Sequence, residues 1–196
     1  HLVIDPDTTN RTFLNYAVAR GLSRHIVGYL EWRKENTYQE KSDESPIALP
    51  RTWEALSDNM LMYGPGEFGT TEFNTMVAST VGTTVGTDFC AYLANVDKLP
   101  DWTKVRTDDP NYDYVMPKNE PAVHFGVSTG LAMEMIENLN KNGTVLTGYE
   151  KILDDLPREM HIVFFRTLRR NMATAVRVLQ SKEFSGHWGR IKDRVK

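Results

Sequence analysis

Apolar residues recur at helical spacing along most of this chain, and alternating strand patterns are nearly absent. The spacing predicts helices over residues 12–20, 24–35, 51–63, 71–81, 87–96, about 120–140, 147–155 and 158–180. A β-like stub, HLVI, opens the chain at residues 1–4, and residues 97–118 form a long irregular connection. The pattern predicts an all-α fold, a helical bundle with additional C-terminal helices.

The breaker GPGEFG, at residues 64–69, is the clearest interruption between helices. We therefore divide the chain into a helical segment over residues 1–69, which includes the strand stub, and a C-terminal helical region over residues 70–196. We expect the two parts to pack together as one unit.

Charge is distributed unevenly although the net charge is only −3. Residues 1–156 carry 13 Lys and Arg against 23 Asp and Glu, whereas residues 157–196 carry 10 against 3. We interpret the basic C-terminal segment as a helical face that packs near acidic surface of the same chain or of a neighbouring subunit. Nucleic-acid binding is the less favoured alternative, because no zinc-finger, KH or RRM signature is present.

Composition excludes a disulfide framework and a membrane span. Cys90 is the only cysteine, and no run approaches the roughly 20 apolar residues that a membrane-spanning helix needs. With no signal-peptide pattern, these features predict a cytoplasmic protein without a membrane partner. The chain begins with His1 and not with Met, so we expect a fragment or a processed product.

The segment GPGEFGTT, at residues 64–71, nearly matches the phosphate-binding motif GxxxxGK[ST]. Thr70 occupies the lysine position, and a helix end precedes the segment where a buried strand would be needed. No acidic strand end elsewhere would hold Mg²⁺. We therefore interpret this segment as a helix stop followed by a turn.

Other catalytic and metal-binding patterns are also missing from the sequence. The internal histidines are scattered along the chain, at positions 25, 124, 161 and 187, and a single cysteine cannot build a zinc site. His124 and Ser128 are four residues apart, but no orienting carboxylate or strand-to-helix elbow accompanies them. The Asp154-Asp155 pair indicates a helix end. We predict no catalytic residue and no metal site in this chain.

SPIALPRTWEALSD, at residues 45–58, indicates a helix start with a cation in an unfavourable place. Pro50 suits the first helical turn. Arg51 follows at the positive end of the helix dipole, which costs about 0.3–1 kcal/mol. A phosphate group bound there would offset this cost. The alternative is an ion pair with a nearby carboxylate: Glu54, Asp43 or Glu44.

Five segments of the chain carry a family resemblance when they are considered together: HLVIDPD, GLSRHIVGYLEWRKE, ALPRTWEALSDNM, ASTVGTTVGTDFCAYLANVDKLPD and YEKILDDLPREMHIVFFRTLRR. Their succession resembles the region downstream of the nucleotide-binding core in MoxR-like AAA+ ATPases of bacteria and their phages. The resemblance covers nearly the whole chain. One departure is large, because the family's Walker A, Walker B, sensor 1 and arginine finger lie upstream and have no counterpart here.

The resemblance implies that residues 1–69 form a lid-like helical segment, in which Pro50 and Arg51 begin the sensor-2 helix and Arg51 reaches the γ-phosphate of ATP. The chain would then be the C-terminal lid portion of an ATPase that couples hydrolysis to remodelling of a protein partner. ATP and Mg²⁺ would be bound by the missing core domain, within a homo-oligomeric ring, and not tightly by this chain. The alternative is a stand-alone helical module that binds a protein or nucleic acid through its charge-segregated surface.

We predict that the 196-residue chain alone does not hydrolyse ATP, because no residue set in it can hold Mg²⁺ and the β- and γ-phosphates together. Its affinity for nucleotide should be in the millimolar range or weaker, on the order of −4 kcal/mol. Phosphate release by the purified chain checks this, with Thr70→Ala and Thr71→Ala as controls. Turnover that disappears in either threonine variant would contradict the prediction.

Overall fold

The computed structural model describes residues 6–39, 46–141 and 147–191. Within these ranges all regular structure is helical and no β-strand occurs, which confirms the predicted all-α class. The predicted strand stub at residues 1–4 lies outside the described residues, as do Asp43 and Glu44.

Eleven α-helices and three short 3₁₀ turns make up the described chain. The α-helices are α1 (Pro6–Arg20), α2 (Arg24–Trp32), α3 (Pro50–Met60), α4 (Thr71–Val81), α5 (Thr83–Leu93), α6 (Trp102–Arg106), α7 (Pro121–Lys141), α8 (Thr147–Asp155), α9 (Arg158–Arg169), α10 (Met172–Gln180) and α11 (Lys182–Ile191). The 3₁₀ turns are Lys34–Thr37, Pro65–Glu67 and Val96–Lys98. None of the helices in the described ranges has the length and apolar character needed to cross a membrane.

The chain divides into two compact units, residues 1–97 and 98–196. In the first unit α4 packs on α3 and α5, and α2 packs on α1 and α5. In the second unit α9 packs along α7, and α10 and α11 pack on α9. The boundary that we drew from the sequence, between residues 69 and 70, falls inside the first unit.

Two differences from the sequence prediction have local causes. Helix α5 begins four residues earlier than residue 87, because Gly82 alone breaks the chain by adopting a φ of 90°. The helix predicted over residues 158–180 is two helices. Asn171 separates them, because its side-chain oxygen accepts a hydrogen bond from the Thr174 N–H (3.1 Å) and caps α10. Helix α11 was not predicted, and α6 lies within residues 97–118, which were predicted to be an irregular connection; Asp101 caps α6 by accepting from the Thr103 and Lys104 N–H groups.

An aromatic cluster forms the centre of the first unit. Trp53 from α3 packs against Tyr29 of α2 and Phe89 of α5, with ring centroids 5.6 and 5.5 Å away, and these two rings also contact each other at 5.1 Å. All three side chains have no exposed surface. The Trp53 Nε1–H also donates to the backbone oxygen of Asn36 at 2.9 Å. Burying these rings supplies much of the apolar area that holds α2, α3 and α5 together.

A buried carboxylate in the second unit has partners on two other helices. Glu134 of α7 is fully buried, and its Oε1 lies 2.6 Å from Nε of Arg106 on α6. The Tyr149 hydroxyl on α8 donates to the same oxygen at 3.4 Å. The Arg106 guanidinium therefore gives this buried carboxylate a charged partner, without which its burial would be costly.

Helices α4 and α5 approach closely at Gly86. A Cβ atom at this position would lie 3.0 Å from Cα and 3.2 Å from the backbone nitrogen of Ala78 on α4. These distances are shorter than most Cβ contacts, and the atoms that the Cβ would meet belong to helical backbone, which would have to shift by a few tenths of an ångström. Glycine therefore favours the close approach where the two helices cross.

We expect Gly86→Ala to lower the free energy of unfolding by about 1–3 kcal/mol through overpacking, despite the better helix propensity of alanine. Urea unfolding of the purified chain measures the change. Gly66→Ala is the matched control, because a Cβ at Gly66 meets nothing within 4 Å, and it should change stability by less than about 0.5 kcal/mol. If Gly86→Ala and Gly66→Ala change the free energy of unfolding equally, the close approach of α4 and α5 at Gly86 is contradicted.

His25 of α2 lies in apolar surroundings, with its ring 5.6 Å from the Phe68 ring in an edge-on arrangement. Burial, together with the charge of Arg24, lowers the pKa of His25 from 6.5 to about 4. Protonation therefore favours the unfolded chain, because unfolded His25 binds a proton at a higher pH than folded His25 does.

Stability should fall as the pH is lowered from about 6.5 to about 4, and be fully present above this window. The loss from His25 between pH 7 and pH 5 should be about 2 kcal/mol. Urea midpoints of wild type and His25→Gln at the two pH values check this, since the difference between the proteins should shrink at the lower pH. If the urea midpoints of wild type and His25→Gln change in parallel with pH, His25 is not the group responsible for the loss of stability.

Candidate functional site

Arg51, to which the family resemblance assigns a phosphate role, lies in the first turn of α3 directly after Pro50. Its side chain is exposed, and no carboxylate in the described part of the chain forms an ion pair with it. The guanidinium therefore faces solvent at the positive end of the helix dipole, where it can meet an anion that comes from outside this unit.

Hydrogen bonds around the start of α3 use most of its free N–H groups. The Leu49 N–H donates to Oγ1 of Thr52 at 2.9 Å, and the N–H groups of Thr52 and Trp53 both donate to the Leu49 oxygen at 3.0 Å. Pro50 has no N–H. Among the described residues, none accepts a hydrogen bond from the Arg51 N–H, so the backbone and the guanidinium of one residue are both open to an anion.

Buried side chains on the opposite face hold α3 in place. Trp53 and Leu56 have no exposed surface, and Met60 retains 5%. This spacing of three and four residues directs them to one side of the helix. Arg51 thus projects from a helix whose position in the first unit is set by its apolar face.

The carboxylate nearest to Arg51 in sequence has another partner. Glu54 accepts a hydrogen bond through Oε1 from the Tyr16 hydroxyl of α1, and this bond raises the pKa of Tyr16. Of the ion-pair partners considered above for Arg51, Glu54 is therefore engaged with α1, while Asp43 and Glu44 lie outside the described residues.

The segment that nearly matches a phosphate-binding loop forms a turn between two helices. Glu67 Oε2 accepts from the Gly64 N–H at 2.7 Å, and Thr70 Oγ1 accepts from the Phe73 N–H at 3.3 Å and caps α4. The element that precedes it is α3 and not a strand, so the interpretation as a helix stop and turn is confirmed.

His124 and Ser128, which are four residues apart on α7, do not form a catalytic pair. The Ser128 hydroxyl donates to the backbone oxygen of Met160 at 2.7 Å, and His124 Nε2 lies 2.7 Å from the backbone oxygen of Pro117. Each side chain therefore bonds a different segment of backbone.

The structure brings together three other side chains that the sequence analysis did not connect. Glu150 and Asp154 of α8 lie beside His187 of α11, within the second unit. The sequence did not predict this group because His187 lies more than 30 residues after Glu150 and Asp154, in the unpredicted helix α11. Spacing of Glu150 and Asp154 by one helical turn was the only sequence signal for it.

Comparison of the chain with family models, with curated proteins and with solved structures found no match. Arg51 at the start of α3 is both the residue to which the resemblance assigns a phosphate role and an exposed cation at a helix N-terminus.

Proposed function

We propose that this chain is the lid portion of a MoxR-like AAA+ ATPase, in which Arg51 senses the γ-phosphate of ATP bound to a separate core domain. The observation that carries the proposal is the exposed guanidinium at the N-terminus of a helix that is otherwise anchored in the core of its unit, where no carboxylate of the described residues forms an ion pair with it. A guanidinium is always charged and offers a planar fork of donors that suits a phosphate group.

The position of Arg51 also supports a role in transmitting motion. Helix α3 shares the aromatic cluster of Trp53, Tyr29 and Phe89 with α2 and α5. Because packed side chains resist sliding, a pull on Arg51 would carry these helices together and not α3 alone. Binding of ATP would draw the lid toward the core, and loss of the γ-phosphate would release it.

In this proposal the chemistry belongs to the core domain and the motion belongs to the lid. The core supplies the residues that hold ATP and Mg²⁺, and this chain supplies one cation to the transferred phosphate. Movement of the lid within a ring of such subunits would remodel a partner protein.

We expect Arg51→Ala to lower ATP hydrolysis by the complete ATPase by about 1–3 kcal/mol of transition-state stabilisation, because a charged contact to the γ-phosphate is lost. Arg51→Lys should restore the rate only partly, since an ammonium keeps the charge and not the fork. Without nucleotide the melting temperature of Arg51→Ala should be unchanged or slightly higher, and the stabilisation by ATP should be smaller.

Arg11→Ala is the matched control, because Arg11 is an exposed arginine on α1 of the same unit. It should leave both hydrolysis and the ATP-induced shift unchanged. If Arg51→Ala instead melts much lower without nucleotide and hydrolyses ATP normally, Arg51 is a structural residue and the sensor proposal is wrong. The module alternative would then be tested by salt-dependent binding of nucleic acid.

A further inference from the structure

A second group of chemistry-bearing side chains lies in the second unit and plays no part in the proposed sensor. Glu150 and Asp154 lie one turn apart on α8, and His187 approaches them from α11. His187 Nε2 is 3.4 Å from Asp154 Oδ1 and 3.9 Å from Glu150 Oε1. One ligand atom from each residue lies within 4.8 Å of the other two.

The imidazole of His187 is held by packing, and its polar edge is aimed at the two carboxylates. Its side chain is only 5% exposed. The ring packs edge-on against His161, with 5.5 Å between centroids, and near Phe184 at 6.4 Å. No described residue forms a hydrogen bond with its buried Nδ1. Nε2 is therefore the atom through which this buried ring meets polar groups.

The distances from His187 Nε2 to the two carboxylates are longer than those in a directly hydrogen-bonded ion pair. A charge-assisted hydrogen bond between nitrogen and a carboxylate is about 2.7–2.9 Å long, whereas the two distances here are 3.4 and 3.9 Å. A metal bound tetrahedrally at about 2.0–2.2 Å from each of three N and O ligands places those ligands roughly 3.3–3.6 Å apart. The distance to Asp154 already fits this arrangement, and the distance to Glu150 would have to shorten by roughly 0.3 Å.

Electrostatics within α8 also favours a cation at this position. Glu150 and Asp154 are like charges at i,i+4 spacing, an arrangement that destabilises a helix. Asp154 further lies in the last turn of α8, where the dipole is negative. A divalent cation between the carboxylates would remove both penalties.

The two acidic side chains are partly exposed, so an ion can reach the site from solvent and the side chains can adjust to it. The Glu150 side chain is 30% exposed and the Asp154 side chain is 60% exposed. Both can therefore adjust their rotamers toward an ion, and solvent can supply the fourth ligand. The buried imidazole provides the fixed point of the site.

We propose that Glu150, Asp154 and His187 form a binding site for a divalent transition metal, with Zn²⁺ as the preferred ion, that fastens α11 to α8. The nitrogen ligand sets this preference, because imidazole suits Zn²⁺ and related ions, whereas Ca²⁺ and Mg²⁺ take oxygen ligands. The site is independent of Arg51 and of nucleotide.

Calorimetric titration of the purified chain with ZnCl₂ alone tests the proposal. We expect one ion per chain and a rise in melting temperature with increasing Zn²⁺. Asp154→Asn should weaken binding about tenfold or more. Asp155→Asn is the matched control, because it removes the same charge from the neighbouring exposed residue and should bind Zn²⁺ like wild type.

Co²⁺ bound in place of Zn²⁺ gives a second measurement, because its visible absorption reports the ligand set. The absorption band should be lost or altered in His187→Gln. If that variant fails to fold, Asp154→Asn decides the matter, since its side chain is largely exposed. The proposal is overturned if Zn²⁺ does not bind, if Asp154→Asn and Asp155→Asn bind it equally, or if Mg²⁺ and Ca²⁺ bind as tightly as Zn²⁺.

Discussion

Burial of Trp53 against Tyr29 and Phe89 is the interaction on which the first unit depends. These rings come from three different helices and have no exposed surface. Their packing sets the position and direction of α3, so it also sets the place from which Arg51 projects. Because dense packing of large rings tolerates little displacement, α2, α3 and α5 move as a group. The proposed sensor role of Arg51 rests on this rigidity as much as on its charge.

The two candidate sites differ in whether the functional side chain is exposed or buried. Arg51 is an exposed cation whose helix is anchored by buried neighbours, and its partner would come from outside the unit. His187 is a buried side chain whose neighbours, Glu150 and Asp154, reach solvent. In the first case packing holds the backbone, and the charged group is exposed to solvent. In the second case packing holds the functional group itself, and the exposed carboxylates supply the adjustment.

Glycine and aromatic residues have complementary effects on helix packing in the first unit. The rings around Trp53 fill the space between α2, α3 and α5, whereas Gly86 permits α5 to approach the backbone of α4 at Ala78. Substitution at either kind of position would disturb the same arrangement, by a cavity in one case and by overpacking in the other. Burial beside the Phe68 ring, together with the charge of Arg24, likewise lowers the pKa of His25.

The sequence by itself determined the helical class, the limits of α4 and α8, and the start of α3 at Pro50, because helical periodicity and proline placement are local signals. It also identified Arg51 as a cation at a helix N-terminus. Only the tertiary structure decided that Glu54 bonds Tyr16 of α1, and only it placed His187 beside Glu150 and Asp154. These contacts join residues more than 30 positions apart, and their geometry depends on how helices pack, which periodicity does not specify. The function of Arg51 stays a prediction, since the phosphate that it is proposed to bind belongs to another domain.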